Sequence, residues 1–445
     1  MRRTRFILWT TMAVFLLSVR GTGATQAPSI PEHIGVVQFA NLDSVLFNPA
    51  SRFKHVVVII QENRSFDNLF NGFPGANTVR YGKTHTGKSV ALKPTPFEGP
   101  YDPDHEHSAW VADYNHGRMN GFDLPPTTPA GPPDFNYGYV PQAETVPYFE
   151  MGKEFAIADR NFAAETGPSY PGHQYLVAGQ SDYAIGNPND PLFRWGCDAL
   201  PGTTTPILEA NGTVNPNGPF PCFNYGTLAD LLDAKRVSWK YYTDSFEKFA
   251  GAGVQPYAAI RHIRYGPDWN KVVTPQTQIL NDVATGSLPS MSWVNPPLVA
   301  SDHAQQTTNL GPYWVANIVN TIGQSKYWKD TAIFVTWDDW GGWYDHVRPP
   351  QLDRMGLSFR VPLLAIAPYA KHGYVSHVQH EPGSILKFAE LTFHLSSLGT
   401  TDVRADNLAD MFDCSQLPPP FVRIHTKVAA NYFKALPPDT KAIDY

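Results

Sequence analysis

Two short apolar runs limit the folds open to this chain. HVVVII at residues 55–60 and TAIFVTW at 331–337 are rich in β-branched side chains. A half-buried strand alternates apolar and polar residues; a continuous run marks a strand buried on both faces, as in a parallel sheet. VPLLAIA at 361–367 is a third such run. Between them, TLADLLDAKR at 227–236, YWVANIVNTIGQ at 313–324 and GSILKFAELTFHL at 383–395 read as helices. Strands alternating with helices predict an α/β layered fold. No internal repeat appears, and no linker divides residues 51–445, which are expected to form one domain.

The chain opens MRRTRFILWTTMAVFLLSVRGTGA. Three early arginines, a mostly apolar stretch from Phe6 to Val19 and small residues up to Ala24 match a signal peptide over 1–24, an uncleaved anchor being the alternative. Residues 25–50 read as an extended leader, and the expected location is secreted or periplasmic. No later run approaches the roughly 18 apolar residues of a membrane span, so the mature chain is expected to lack a transmembrane segment. A formal charge of −6 gives no basic footprint for nucleic acid. In an oxidising compartment, Cys197 and Cys222 are placed to bridge the Pro/Asn/Gly-rich loop excursion 185–225, leaving Cys414 as a thiol. No Cys/His zinc spacing is present.

Each of the first two runs ends in a polar pair, Glu62-Asn63 and Asp338-Asp339. Either pair alone suits a helix cap or a solvated turn. Two pairs after two matched strands instead suggest carboxylate and amide oxygens converging on one divalent cation. In open α/β sheets, ligands bind at the carboxyl ends of the strands, where these pairs stand. Ser169 lies between Gly167-Pro168 and Pro171-Gly172, a bracket that bends the chain and exposes a hydroxyl, although turn serines are common. Near a divalent cation such a serine can attack phosphorus. No G-x-S-x-G elbow is present. Histidines recur beside these segments: His105 and His107, His262, His303 next to Asp302, and His346 next to Asp345. A lone histidine is usually structural, but several beside a hard metal site suit phosphate-ester hydrolysis.

HVVVIIQENRSFDNLFNGFPG, DHEHSAWVADYNHGRMNGFD, TGPSYPGHQYLVAGQ, SDHAQ, FVTWDDWGGWYDHVRPP and GLSFRVPLLAIAPYAKHGYVSH follow one another through the chain. Together they resemble the bacterial phosphoesterase family that includes phospholipases C and the acid phosphatase A type, within the alkaline-phosphatase-like superfamily. The resemblance implies a layered α/β/α fold around a central, mostly parallel sheet. It implies that Glu62, Asn63, Asp338, Asp339 and Ser169 hold one divalent cation of unspecified identity, and that Ser169 is the nucleophile. His107 and His303 would contact phosphate and move protons, with His262 as a less distinctive match. His346 and Asp302 would support the site from behind. The chain departs from the pattern in Pro-Gly-His at 171–173, where many relatives carry Pro-Asn followed by a basic residue or His, and at Ala304, where proline is common. A sulfatase reading lacks its arginine: Ser169 is followed by Tyr-Pro-Gly-His.

The function these readings imply is a phospholipase C-like phosphodiesterase. Its substrate is a phosphate ester, with phospholipid at a membrane surface as one source. The alternatives are an acid phosphatase acting on monoesters and a non-catalytic secreted binding protein on the same fold.

Overall fold

The computed structural model describes residues 48–245, 254–306, 308–415 and 417–438. The signal peptide expected at 1–24 lies outside these residues, as does the leader up to residue 47. Counting only the main sheet, β1 is His55–Gln61, β2 Ala156–Ala158, β3 Trp239–Tyr242, β4 Val272–Val273, β5 Met291–Val294, β6 Thr331–Trp337, β7 Leu363–Ile366 and β8 Tyr374–Ser376. Across the sheet they run β4-β3-β5-β1-β6-β7-β2-β8. The two apolar runs read first in the sequence, β1 and β6, are parallel neighbours in the middle, paired from His55–Thr331 to Gln61–Trp337.

Every pairing is parallel except those of β7, which runs against both β6 and β2. A parallel neighbour needs a long crossover, usually helical. Residues 338–362 between β6 and β7 contain no helix, so the chain returns in the opposite sense.

The alternation along β1 explains its composition. Val56, Val58 and Ile60 pack with Leu228, Leu232, Ile385 and Phe388 on one face. Val57 and Ile59 pack with Trp314, Ile318 and Ile322 on the other. Both faces are dry, so neither side chain parity is polar. Helices Ser169–Ala178, Leu228–Ala234 and Pro382–Phe393 supply the first face; Val146–Glu154, Gln278–Thr285 and Gly311–Gly323 supply the second. The result is the expected α/β/α layering. The three helices read from periodicity all form, within a few residues of their expected ends. Thr227 and Asp230 close a capping box at the start of Leu228–Ala234, which fixes where that helix begins.

The excursion 185–225 carries a two-stranded ribbon, Ile207–Leu208 with Val214–Asn215. A Cys197–Cys222 disulfide ties it together, with the two Cα atoms 4.5 Å apart. Cys414 is a free, half-buried thiol, as expected.

Candidate functional site

The ladder between β1 and its neighbours continues one residue past the strand ends. Glu62 N–H donates to Ser301 O at 2.7 Å, and Asp338 N–H to Gln61 O at 3.1 Å. Asn63 then turns into the left-handed region at φ 47°, which asparagine tolerates better than most residues. That turn aims its N–H at Asp338 Oδ1, 3.1 Å away, and brings its side-chain amide within 3.2 Å of Asp339 Oδ2. Gly341 makes the close approach possible. It sits at φ +63°, and a Cβ there would lie 2.2 Å from the Asn63 carbonyl oxygen. The four residues expected to converge therefore do so.

Ser169 opens the helix Ser169–Ala178 and is fully buried. Its hydroxyl lies 3.2 Å from Glu62 Oε2 and 3.4 Å from Asp339 Oδ2, and accepts from the Asn63 amide at 3.3 Å. One turn along, His173 places Nε2 3.0 Å from Glu62 Oε1 and 3.6 Å from Asp338 Oδ2. His173 was not among the expected site residues. Its signal was available: positions i and i+4 of a helix share a face, so a helix starting at Ser169 carries His173 to whatever Ser169 meets.

The histidine pair in DHEH divides differently from the expectation. His105, not His107, reaches Asn63: its Nδ1–H donates to Pro103 O at 2.8 Å, leaving Nε2 to accept from the Asn63 amide at 3.0 Å. His107 begins the helix His107–Tyr114, stacks on Trp110 and donates Nδ1–H to Thr166 O and Oγ1, both at 3.0 Å. Burial lowers its pKa. Through Thr166 it touches the segment leading into Ser169 rather than the cluster itself. His303 is buried, with its ring 5.7 Å from that of His105. Its Nδ1–H donates to Ala304 O at 2.7 Å, which makes Nε2 the basic nitrogen. His262 is not brought to the cluster. It is surface-exposed, with Nδ1 2.9 Å from Asn224 Oδ1 and Nε2 2.9 Å from Asp230 Oδ1.

Two arginines of opposite sequence halves hold the strand-end turns in place. Arg64, buried between the rings of Phe97 and Trp343, donates Nε–H to Asp302 O at 2.7 Å and so fixes the His303 loop to the Glu62 turn. Burial lowers its pKa to about 10. Asp302 faces away from His303: its Oδ2 accepts from Tyr148 at 2.7 Å and Trp337 at 3.1 Å, and burial raises its pKa to about 7. Arg360, wholly buried, pairs with Asp345 at 2.8 Å and Asp67 at 3.3 Å. His346 contacts Asp67 at 2.5 Å and Asn77 at 3.1 Å. Asp67 follows the Glu62 turn and Asp345 follows the Asp338 turn, so Arg360 clamps the two together.

The cluster has the chemistry of a cation site. Glu62, Asp338 and Asp339 are at most 2% exposed, and His173 is the imidazole facing two of them. Among the described residues, Asn63 Oδ1 and Asp338 Oδ2 are buried with no hydrogen-bond partner. Buried carboxylates crowded together need a cation, and oxygen-rich sets suit a hard one. Glu62, His173 and Asp338 present ligand atoms within 4.8 Å of one another. A cavity of about 260 Å³ opens beside His105, lined also by Asp102, Asp104, Glu106 and Asn187.

Burial and the adjacent Glu62 carboxylate push the Asp338 pKa up to about 7. A ligating carboxylate must be ionised, so below pH 7 Asp338 has to shed its proton when a cation binds. Titrating metal-stripped protein with Mn²⁺ in buffers of different ionisation enthalpy should show release of about one proton per ion at pH 6, fading by pH 8. Affinity should fall as pH drops through 7. Buffer-independent heats at pH 6 would refute an Asp338 that ligates.

A model of the Phosphoesterase family matches residues 53–396. The chain is 26% identical to a hemolytic phospholipase C of Pseudomonas aeruginosa, over 76% of this chain and 52% of that protein. It is 23% identical to phospholipase C B of Mycobacterium tuberculosis, over 80% of this chain and 76% of that one. Among solved structures it is similar to a protein in the alkaline phosphatase superfamily from Vibrio parahaemolyticus, 13% identical with a TM-score of 0.34, covering 80% and 70% of the two chains. The chain spans about half the length of the Pseudomonas relatives it matches, 52% and 59% of them.

Proposed function

The chain belongs to the Phosphoesterase family, and from that premise we propose that it hydrolyses phosphoric diesters as a phospholipase C-like enzyme, with Ser169 as nucleophile and one divalent cation held by Glu62, Asn63, Asp338, Asp339 and Ser169. The observation that carries this reading is the position of the Ser169 hydroxyl. It stands at a helix N-terminus, within hydrogen-bond reach of two carboxylates and an amide delivered by two adjacent strand ends. The relatives named phospholipase C support the substrate class.

A divalent cation bound there supplies positive charge beside the Ser169 oxygen and the phosphoryl oxygens. The protein's own groups do the rest. Glu62 Oε2 and Asp339 Oδ2 are the acceptors within reach of the Ser169 proton. The Ser169 oxygen then bonds to phosphorus, and the ester oxygen of the leaving alcohol departs with its electron pair. His303 and His105 border the cluster; with a proton taken up on Nε2, His303 is the acid suited to protonate that oxygen, and it regains the proton from the water that attacks next. Water attacking the phosphoseryl ester breaks its P–O bond and restores Ser169. His107 acts indirectly, by bracing Thr166 ahead of the nucleophile.

Parallel assays on p-nitrophenyl phosphate, p-nitrophenylphosphorylcholine and phosphatidylcholine, with and without chelator, test this. The two diesters should turn over faster than the monoester, and chelation should abolish all activity. Preference for the monoester would favour an acid phosphatase. Full activity after exhaustive chelation would remove the cation from the mechanism.

A further inference from the structure

The excursion 185–225 leaves the fold beside the nucleophile. Asn187 lines the cavity next to His105, and its Oδ1 accepts the N–H of Tyr170 at 3.1 Å. Five residues on, the excursion begins to expose large apolar side chains: Leu192 is 41% exposed, Leu200 36% and Phe220 38%. They are held in one neighbourhood. The two oxygens of the buried Asp190 carboxylate accept the N–H groups of Leu192 and Leu200, at 2.8 and 2.9 Å. Phe220 lies two residues before Cys222, which is bridged to Cys197, and the carbonyl of Pro219 accepts the N–H of Thr205 at 2.9 Å, so this strand of the loop runs beside the segment that follows Leu200. Tyr265, 60% exposed, donates its hydroxyl to Cys197 O at 2.9 Å. Next to it, the Arg264 guanidinium lies over the half-buried Trp269 ring at 4.3 Å.

Single exposed apolar residues are ordinary; a stapled group of them next to a cavity is not. The charge pattern says what they face. Residues 185–225 contain four charged side chains, Asp190, Arg194, Asp198 and Glu209, three of them acidic. Arg194 faces Asp190, and Asp198 pairs with Arg264. On the Tyr265 side, Arg264 is paired with Asp198, and Lys271 with Asp233 and Asp268, which leaves the exposed Arg261 as weak attraction for an anionic surface and little charge to desolvate on entering a neutral one. We propose that this disulfide-stapled face docks the enzyme on a zwitterionic phospholipid surface. Leu192, Leu200 and Phe220 enter the acyl boundary, and Tyr265 and Trp269 sit at headgroup level, as aromatic side chains do at membrane interfaces. Docking there sets the Asn187 edge of the cavity against the headgroups. The proposal rests on the phospholipase C-like reading of the site.

The test combines Leu192→Asp, Leu200→Asp and Phe220→Asp in the full chain and compares it with the parent by sedimentation with phosphatidylcholine vesicles. Partition should weaken by at least about tenfold, with hydrolysis of vesicle lipid falling in parallel. Turnover of soluble p-nitrophenylphosphorylcholine should stay within about twofold, because these residues touch no catalytic group. Unchanged vesicle partition in the triple variant would overturn the proposal. So would binding of the parent only to anionic vesicles with release by salt, or a concentration-dependent dimer, lost in the variant, in place of vesicle binding. A parent that binds vesicles but hydrolyses no phospholipid would sink the substrate reading and leave the docking face standing.

Discussion

Replacing Ser169 with alanine is expected to lower kcat by about 10³–10⁶-fold, the range seen when a covalent nucleophile is removed. The physical reason is specific to this position. On the proposed path, attack by Ser169 replaces one difficult displacement with two easier ones. Its oxygen is already placed by Glu62, Asp339 and Asn63, all three within hydrogen-bond reach. Alanine fills less space than serine, so the helix and the carboxylates should keep their places. Manganese uptake by the variant should persist, since four of the five proposed ligands remain. His303→Ala should cost less, about 10²–10⁴-fold, as for a general acid. Rapid-quench detection of a phosphorylated protein in the parent, absent from the variant, is the direct readout. Near-parental turnover by Ser169→Ala would mean that water attacks phosphorus directly.

Replacing Arg360 with alanine should cost about 3–5 kcal/mol of folding stability, because it strands two buried carboxylates without their cation. Arg360 also donates to Asn77 O at 3.0 Å and Asp159 O at 2.7 Å, and lies over the Phe66 ring at 4.9 Å. Burial already raises the pKa of Asp345, with Arg360 opposing it. Without Arg360, Asp345 must take up a proton or water, and Asp67 keeps its contacts with His346. Arg360→Lys keeps the charge but not the fork of donors, and should fall between the two. The urea midpoint is the measurement, with an unchanged slope confirming that stability alone has moved. A midpoint within error of the parent would show that these carboxylates find solvent in spite of their burial.

The strands that carry the site were legible because burial on both faces writes itself as an unbroken apolar run. The polar pairs at their ends were legible because polarity there interrupts an otherwise dry sheet. The direction of β7 was not: LLAI reads the same for a parallel or antiparallel strand, and only the missing helix before it decides. The choice between His105 and His107 turned on where one helix starts, since that start carries the second side chain toward Thr166. His262 lies in a stretch of arginines and aromatics that says nothing about its partners, and the structure gives it Asn224 and Asp230. Arg360 is a single basic residue in LSFRVP, and nothing near it in sequence announces Asp67 or Asp345. The Cys197–Cys222 pairing followed from proximity, and the geometry permits it.

The pairing of β1 with β6 has a consequence for the order in which the chain acquires its chemistry. Asn63 and Asp338 are neighbours in space but 275 residues apart along the chain. Closing so long a loop is slow, because its entropy must be overcome before the contact returns anything. During synthesis the Glu62 turn emerges early and waits, carrying half a site and an open flank of β1, until β6 arrives to cover it. A nascent chain therefore lacks the assembled cluster for most of its elongation, and it gains that cluster at the same step that seals the middle of its sheet.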